Sequence, residues 1–180
     1  GEISKKDIIL EVGPGIGSLT EILAARAKKV ITIEKDRELI PLLQEKFQNY
    51  KNVEIIEGDI LKISNFKFLI SNFKIVANLP YYITSRFLRI FLSNKKLRPK
   101  LMVLMVQREV AERICAKPPR MNLLALSVQV YATPKIIRKV PRGVFSPPPK
   151  VDSAIIKLSV FTSPLPLFLN KGTPEKILQL

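Results

Sequence analysis

Apolar and polar positions along the chain fall into two alternating rhythms. Short, nearly unbroken apolar runs stand at 8–12, 30–34, 53–56, 73–78 and 101–106, the first of them ending in glycines. Runs of that length and character predict buried strands of a parallel sheet. Between them, apolar residues recur every three or four positions. Leu19, Ile22, Leu23 and then Arg26-Ala27 follow helical spacing, and Asp36 is placed to cap a helix running to about 48, with Pro41 tolerated in its first turns. Thr84 opens a helix whose Phe87, Leu88, Phe91 and Leu92 share one face. Two further helices are expected over 108–115 and 122–131. Strands at 135–140 and 153–160, separated by the stiff loop Ser146-Pro147-Pro148-Pro149-Lys150, read as a hairpin appended to the sheet.

Strands alternating with helices require right-handed crossovers, which place helices on both faces of a mostly parallel sheet. The expected fold is therefore a doubly wound α/β domain with seven strands. Residues 1–162 make up this domain in the sequence reading. Ser163-Pro164-Leu165-Pro166 reads as a linker, and Thr173-Pro174 as the cap and first position of a helix begun before Leu180. No internal repeat or low-complexity tract interrupts the pattern.

Composition narrows the chemistry. The chain has 180 residues, 47% of them apolar, enough for one substantial core. It lacks a run of eighteen apolar residues and begins with neither a signal nor a transit pattern, so a soluble, cytosolic protein without a membrane partner is expected. Cys115 stands alone in a helical stretch and reads as a small buried apolar residue, with no disulfide and no metal site in prospect. Histidine is absent altogether. That removes imidazole-based nucleophile systems, histidine metal sites and the commonest general base. Charge is divided unevenly. Residues 1–62 hold 10 Lys/Arg against 11 Asp/Glu, a net of −1, whereas residues 63–180 hold 20 against 4, a net of +16. The second part has the balance of a polyanion binder, with a phosphate backbone as partner.

Candidate chemistry collects at the predicted strand ends. Glu11-Val12-Gly13-Pro14-Gly15-Ile16-Gly17 joins the first strand to the first helix. Its glycines, Gly13, Gly15 and Gly17, let a ligand approach the backbone, but the GxGxG spacing and the missing amide of Pro14 disfavour a pyrophosphate. A compact ligand without phosphates, such as S-adenosylmethionine, fits better. Glu34 ends the second strand, 21 residues after Gly13, where a carboxylate can accept from two ribose hydroxyls; Lys35 adjoins it. Asp59 follows the third strand, placed to accept from an adenine amino group while Ile60 packs on the ring. Singly, each has an ordinary reading as a tight turn, a helix cap or a solvated charge. Their order along three successive strand ends describes one nucleoside-shaped pocket.

Asn78-Leu79-Pro80-Tyr81 ends the fourth strand and faces the same crevice. An exocyclic adenine nitrogen is a poor nucleophile because its lone pair is delocalised. If the Asn78 side-chain oxygen and the Leu79 carbonyl accept its two hydrogens, the lone pair can turn toward a methyl sulfonium without a strong base. Tyr81 is expected to stack on the base, worth roughly 1 to 3 kcal/mol. Such a base must be extruded or unpaired. Phe145 is the candidate for the opposite wall, with a core aromatic capping the hairpin as its alternative. Tyr82 is expected to pack.

Glu11 to Gly17, Glu34, Asp59, Asn78 to Tyr81, the segment Val106-Gln107-Arg108-Glu109-Val110-Ala111-Glu112-Arg113 and the run Phe145 to Ser153 together resemble the KsgA-type small-subunit ribosomal RNA adenine dimethyltransferases, over about residues 8–160. The resemblance implies a Rossmann-like class I methyltransferase fold and S-adenosylmethionine as cofactor. It also implies dimethylation of N6 of two adjacent adenines in a hairpin loop near the 3′ end of small-subunit RNA, and a part in subunit biogenesis. The immature small subunit is the implied partner, and a monomer is expected. Related large-subunit RNA methyltransferases that confer antibiotic resistance typically carry isoleucine where Leu79 stands, so Leu79 and Gly13-Pro14-Gly15 favour the small-subunit branch. The family also has an N-terminal Gln-Asn-Phe-Leu segment over the cofactor and a C-terminal helical domain; by that standard the chain is expected to be truncated at both ends. Leu123-Leu124 stands where the family has Tyr-Gly. A non-catalytic RNA-binding assembly factor and, more remotely, a nicotinamide oxidoreductase remain as alternatives.

Overall fold

A computed structural model describes residues 2–65 and 72–164 of the chain. Seven strands form one sheet in the order β3-β2-β1-β4-β5-β7-β6. The strands are β1 Ile8–Val12, β2 Lys29–Glu34, β3 Val53–Glu57, β4 Phe73–Asn78, β5 Leu101–Gln107, β6 Ala132–Val140 and β7 Ser153–Val160. The first five run parallel, and β7 lies antiparallel between β5 and β6. The expected hairpin is present, and its second strand rather than its first is the one that docks on β5.

Alternation along the strands sends successive side chains to opposite faces. On one face, Ile9 and Val30 pack with Leu23, Ala24 and Ala27 of the first helical segment, α1 (Ser18–Arg26). On the other, Leu10, Val12, Ile31 and Ile33 join a larger core with α3 (Thr84–Ser93), α4 (Arg108–Ile114) and α5 (Leu123–Gln129). The stripe read from α3 is the one buried: Phe87, Leu88, Phe91 and Leu92 are all at most 2% exposed. Truncating either phenylalanine removes on the order of 3 to 5 kcal/mol. Asn122 caps α5, its Oδ1 accepting from the Ala125 amide at 3.0 Å.

Several sequence expectations shift. β6 starts three residues early and includes Pro134, which is tolerated because β6 is the sheet edge. Asp36 does not cap α2 (Leu39–Phe47): its side chain holds the Glu38 amide at 3.0 Å in the preceding turn, and Glu38 occupies the cap position. Ile22, at helical spacing, lies on the outer side of α1 and is 54% exposed. Cys115 is half-buried at the margin of the larger core, not enclosed. The residues beyond 164, including the expected linker end and the Thr173 cap, lie outside the described residues. No helix among the described residues is long and apolar enough to cross a membrane.

Candidate functional site

Strand order reverses between β1 and β4, and in open α/β sheets ligands bind beyond the carboxyl ends of the strands at that switch point. The backbone beyond the strands stays knitted there: the Gly13 amide donates to the Ile33 carbonyl at 3.0 Å, Gly58 to Glu34 at 2.7 Å and Leu79 to Met105 at 3.3 Å. The predicted residues of β1 to β4 are thereby brought to one rim.

Two chambers open on this rim. The first, about 430 Å³, is lined by Gly13, Glu34, Lys35, Asp59 and Ile60 together with Pro80, Tyr82 and neighbouring apolar side chains. Its size lies in the roughly 300 to 1,000 Å³ range of small-molecule sites. The second, about 340 Å³, is lined by Asn78, Leu79, Pro80, Met105, Phe145, Pro147, Pro149 and Ser153. Pro80 is a wall of both. The sequence-predicted residues thus divide between neighbouring spaces: of the cofactor candidates Gly13, Glu34, Lys35, Asp59 and Ile60 line the first, Asn78, expected at both ligands, lines the second with Leu79, Pro80 and Phe145, and Gly15 lines neither.

Carboxylates of the first chamber are held by backbone amides. Glu34 Oε1 accepts from Lys35 N at 2.8 Å and Asp36 N at 2.9 Å, while Oε2 accepts from Gly15 N at 3.2 Å. Three of about four acceptor positions of the carboxylate are used, which leaves one on Oε2 for a ligand hydroxyl. Asp59 Oδ1 accepts from Leu61 N at 3.0 Å, and Oδ2 pairs with Lys35 Nζ at 3.3 Å. The Leu61 amide and then Lys35 hold the Asp59 carboxyl below the usual carboxylate range. This donor and acceptor set fits a nucleoside with a diol and an amino group.

The glycine loop divides in its roles. Gly13, at φ +66°, brings its backbone against the Asn78 carbonyl, and a Cβ there would sit 4.0 Å from that oxygen. Gly17, at φ +80°, lines neither chamber; a Cβ on it would come within 2.6 Å of the Phe47 ring. Its demand is the packing of α1 against α2. Glu11, also expected at the cofactor, stands behind the loop, 1% exposed, with Oε2 accepting from the Thr20 hydroxyl at 2.7 Å and Oε1 without a partner. Burial pushes its carboxyl up from 4.5 to about 7, against the lowering effect of the Thr20 hydroxyl. Glu11 therefore ties the end of β1 to α1.

In the second chamber Leu79 points its side chain into the core, 1% exposed, and so anchors the motif from below. Pro80 leads into a 3-10 turn, Tyr81–Ile83, that feeds α3. The Tyr81 ring lies outside the described side chains. Tyr82 was expected to pack, but it is 84% exposed and lines the first chamber, because the turn carries it away from the α3 core face. Phe145 is half-buried in the wall of the second chamber and follows a 3-10 turn, Arg142–Val144. Sequence reasoning missed Met105 and Ser153, which reach the chamber because Asn78 pairs with Met105 and Ser153 with Gln107 across the sheet. Only strand register carries that information.

The chain is 51% identical over 161 residues to ribosomal RNA small subunit methyltransferase A of Dehalococcoides mccartyi, covering 88% of this chain and 55% of the relative. It superposes on a dimethyladenosine transferase from Plasmodium falciparum with a TM-score of 0.77 and 37% identity, over 89% of this chain and 58% of that one. For the 23S rRNA methyltransferase ErmE the TM-score is 0.80 and the identity 32%, over 91% and 65%. The fold is the class I methyltransferase α/β fold. The chain spans about half the length of the curated relatives it matches. The family model described as ribosomal RNA adenine dimethylase matches residues 1–167, and with these relatives it places the chain in that family.

Proposed function

We propose that the chain is the catalytic part of an S-adenosylmethionine-dependent ribosomal RNA adenine N6-dimethyltransferase. Its target is two adjacent adenines in a hairpin loop near the 3′ end of small-subunit RNA, met on the immature subunit in the cytoplasm by a monomeric enzyme. In this reading residues 1–162 are the catalytic domain, and 163–180 lead into a helical domain. The observation that carries the proposal is the pair of chambers that share Pro80 as a wall, one suited to a nucleoside and one to a flat base.

S-adenosylmethionine supplies, when bound, an electrophilic methyl group on a sulfonium. Glu34 would accept from a ribose hydroxyl through the position left on Oε2, Asp59 would hold the adenine amino group and Ile60 the ring face. Lys35 adjoins that edge, and Gly13 and Gly15 bring the backbone close. On the target side, Asn78 Oδ1 and the Leu79 carbonyl accept the two amino hydrogens of the base, which localises the nitrogen lone pair. Phe145 forms one wall beside the base, and the motif assigns the other face to Tyr81. Positioned acceptors replace a general base, as a chain without histidine requires. Exposed Lys139, Arg142 and Lys150, at the end of β6 that pairs with Ser153 and in the adjoining loop, supply positive charge for the phosphate backbone beside the second chamber, and Lys135 and Arg138 extend it along β6.

Incubation with labelled S-adenosylmethionine and immature small subunits is expected to place label in small-subunit RNA as dimethyladenine. Asn78→Ala should lower the rate on the order of a hundredfold or more, as loss of one transition-state hydrogen-bonding group does elsewhere. Undiminished transfer by Asn78→Ala would sink the mechanism. The similarity to ErmE supports a second reading, in which label enters large-subunit RNA instead. Salt-sensitive RNA binding without any transfer would select an assembly factor.

A further inference from the structure

The segment that carries Phe145 is held by a residue that lines neither chamber. Residues 145–152 connect the Arg142–Val144 turn to β7, and Phe145, Pro147 and Pro149 of this loop face the second chamber. Pro147, Pro148 and Pro149 have no amide hydrogens, so the loop cannot tie itself down there through backbone donors. Asp152 supplies the ties. Its Oδ1 accepts from the Arg142 amide at 3.1 Å, across ten residues of chain. Its Oδ2 accepts from Arg108 Nη1 at 2.8 Å, and its main-chain carbonyl accepts from the Arg108 amide at 3.0 Å. Arg142 in turn donates from Nη1 to the Lys150 carbonyl at 3.4 Å. One carboxylate thus closes the neck of the loop and pins that neck to the first turn of α4.

We propose that Asp152 is a positioning residue for the target base, clasping the Phe145 loop to Arg108 so that the Phe145 ring stands opposite Asn78. The inference rests on reading the second chamber as the target site. A half-exposed ion pair contributes little by itself. The leverage of Asp152 comes from what it closes, since releasing the neck frees a whole loop whose own donors are few. Because Asp152 and the loop lie apart from Glu34, Asp59 and the glycine turn, its effect falls on the target nucleotide and spares the cofactor.

The chain contains no tryptophan, so F145W introduces a single indole into the chamber wall. Adding Asp152→Ala to that variant is expected to raise acrylamide quenching and lower the anisotropy of the indole. Asp152→Asn keeps an acceptor for the Arg142 amide but loses the charge pair, and should fall between. In the otherwise unaltered protein, Asp152→Ala should lower kcat/KM for small-subunit RNA about tenfold, given how steeply rate depends on placement. Asp152→Asn should recover part of that loss, and the thermal shift caused by S-adenosylhomocysteine should stay the same. Unchanged indole mobility would overturn the clasp, and so would cofactor affinity falling in step with turnover. If no variant responds to S-adenosylhomocysteine and none transfers methyl groups, the functional reading fails, while the indole measurement still decides the role of Asp152.

Discussion

The two chambers share Pro80, yet they are assembled on different principles. The nucleoside chamber leans on local sequence: most ties to its carboxylates come from amides one or two residues away, as Glu34 takes from Lys35 and Asp36 and Asp59 from Leu61, with Gly15 and Lys35 adding one longer-range tie to each. The target chamber is built from distant sequence, with Asn78, Met105, Phe145 and Ser153 brought together by strand pairing and by the Asp152 clasp. Charge divides the same way, −1 over residues 1–62 and +16 beyond. A small neutral-to-cationic ligand needs a few fixed acceptors. A polyanion needs a broad positive field, which no single contact supplies.

Salt separates the two ligands most strongly. Raising ionic strength from about 50 to 200 mM should weaken RNA binding on the order of a hundredfold or more through counterion release. S-adenosylhomocysteine binding, followed by calorimetry across the same range, should hardly move; parallel losses would dissolve the contrast.

Next in size is Glu11. Its folded carboxyl titrates at about 7 against an ordinary 4.5, so the folded protein binds the extra proton between those values. Stability from this group is therefore fully present below pH 4.5 and lost as pH rises through 7, up to about 3 kcal/mol from a shift of that size. Glu11→Gln removes the titration, and urea midpoints measured at pH 5 and pH 8 should differ less in the variant than in the parent. A steeper pH dependence in Glu11→Gln would contradict the burial argument.

Glu34→Ala should weaken S-adenosylhomocysteine by about 2 kcal/mol, some thirtyfold, the scale of hydrogen bonds to a charged group. RNA retention on a filter should be unaffected, and a matching loss there would show that the chambers do not act separately.

The smallest effect belongs to Lys35→Met. The Lys35 ammonium, 70% exposed at its side chain, occupies Asp59 Oδ2 at 3.3 Å, the atom expected to receive an adenine amino group. Removing that competitor while keeping the aliphatic stem should tighten cofactor binding by roughly twofold to fivefold, as exposed pairs are worth under about 1 kcal/mol. Titration calorimetry with S-adenosylhomocysteine would detect it, and weakened binding would assign Lys35 to the ligand instead.

Legibility of the molecule followed the same line. The strand ends at Gly13, Glu34, Asp59 and Asn78 could be read directly because apolar runs stop there, although their order around the rim, Asp59, Glu34, Gly13, Asn78, is set by the strand order and not by the chain. Phe87 to Leu92 could be read because helical periodicity states which face is buried. Gly17 looked like a ligand contact in the glycine loop, but the reason for it is Phe47, 30 residues away, which no local pattern reports. Tyr82 misled because aromatic identity favours a core, while the turn after Pro80 decides the direction. Asp152 stands inside the Phe145 to Ser153 run, but its role carried no local signal, since Arg108 meets it only once β7 is laid against β5.

The partition at Pro80 bears on how the protein could be inhibited. Proline holds its φ, here −55°, within a ring, so this wall does not swing aside as a long side chain would. A compound grown outward from the nucleoside chamber meets a stiff edge one residue thick, with the base chamber directly behind it. A linker routed around that edge would join two weak fragments into one ligand, and its length would be set by a single pyrrolidine ring.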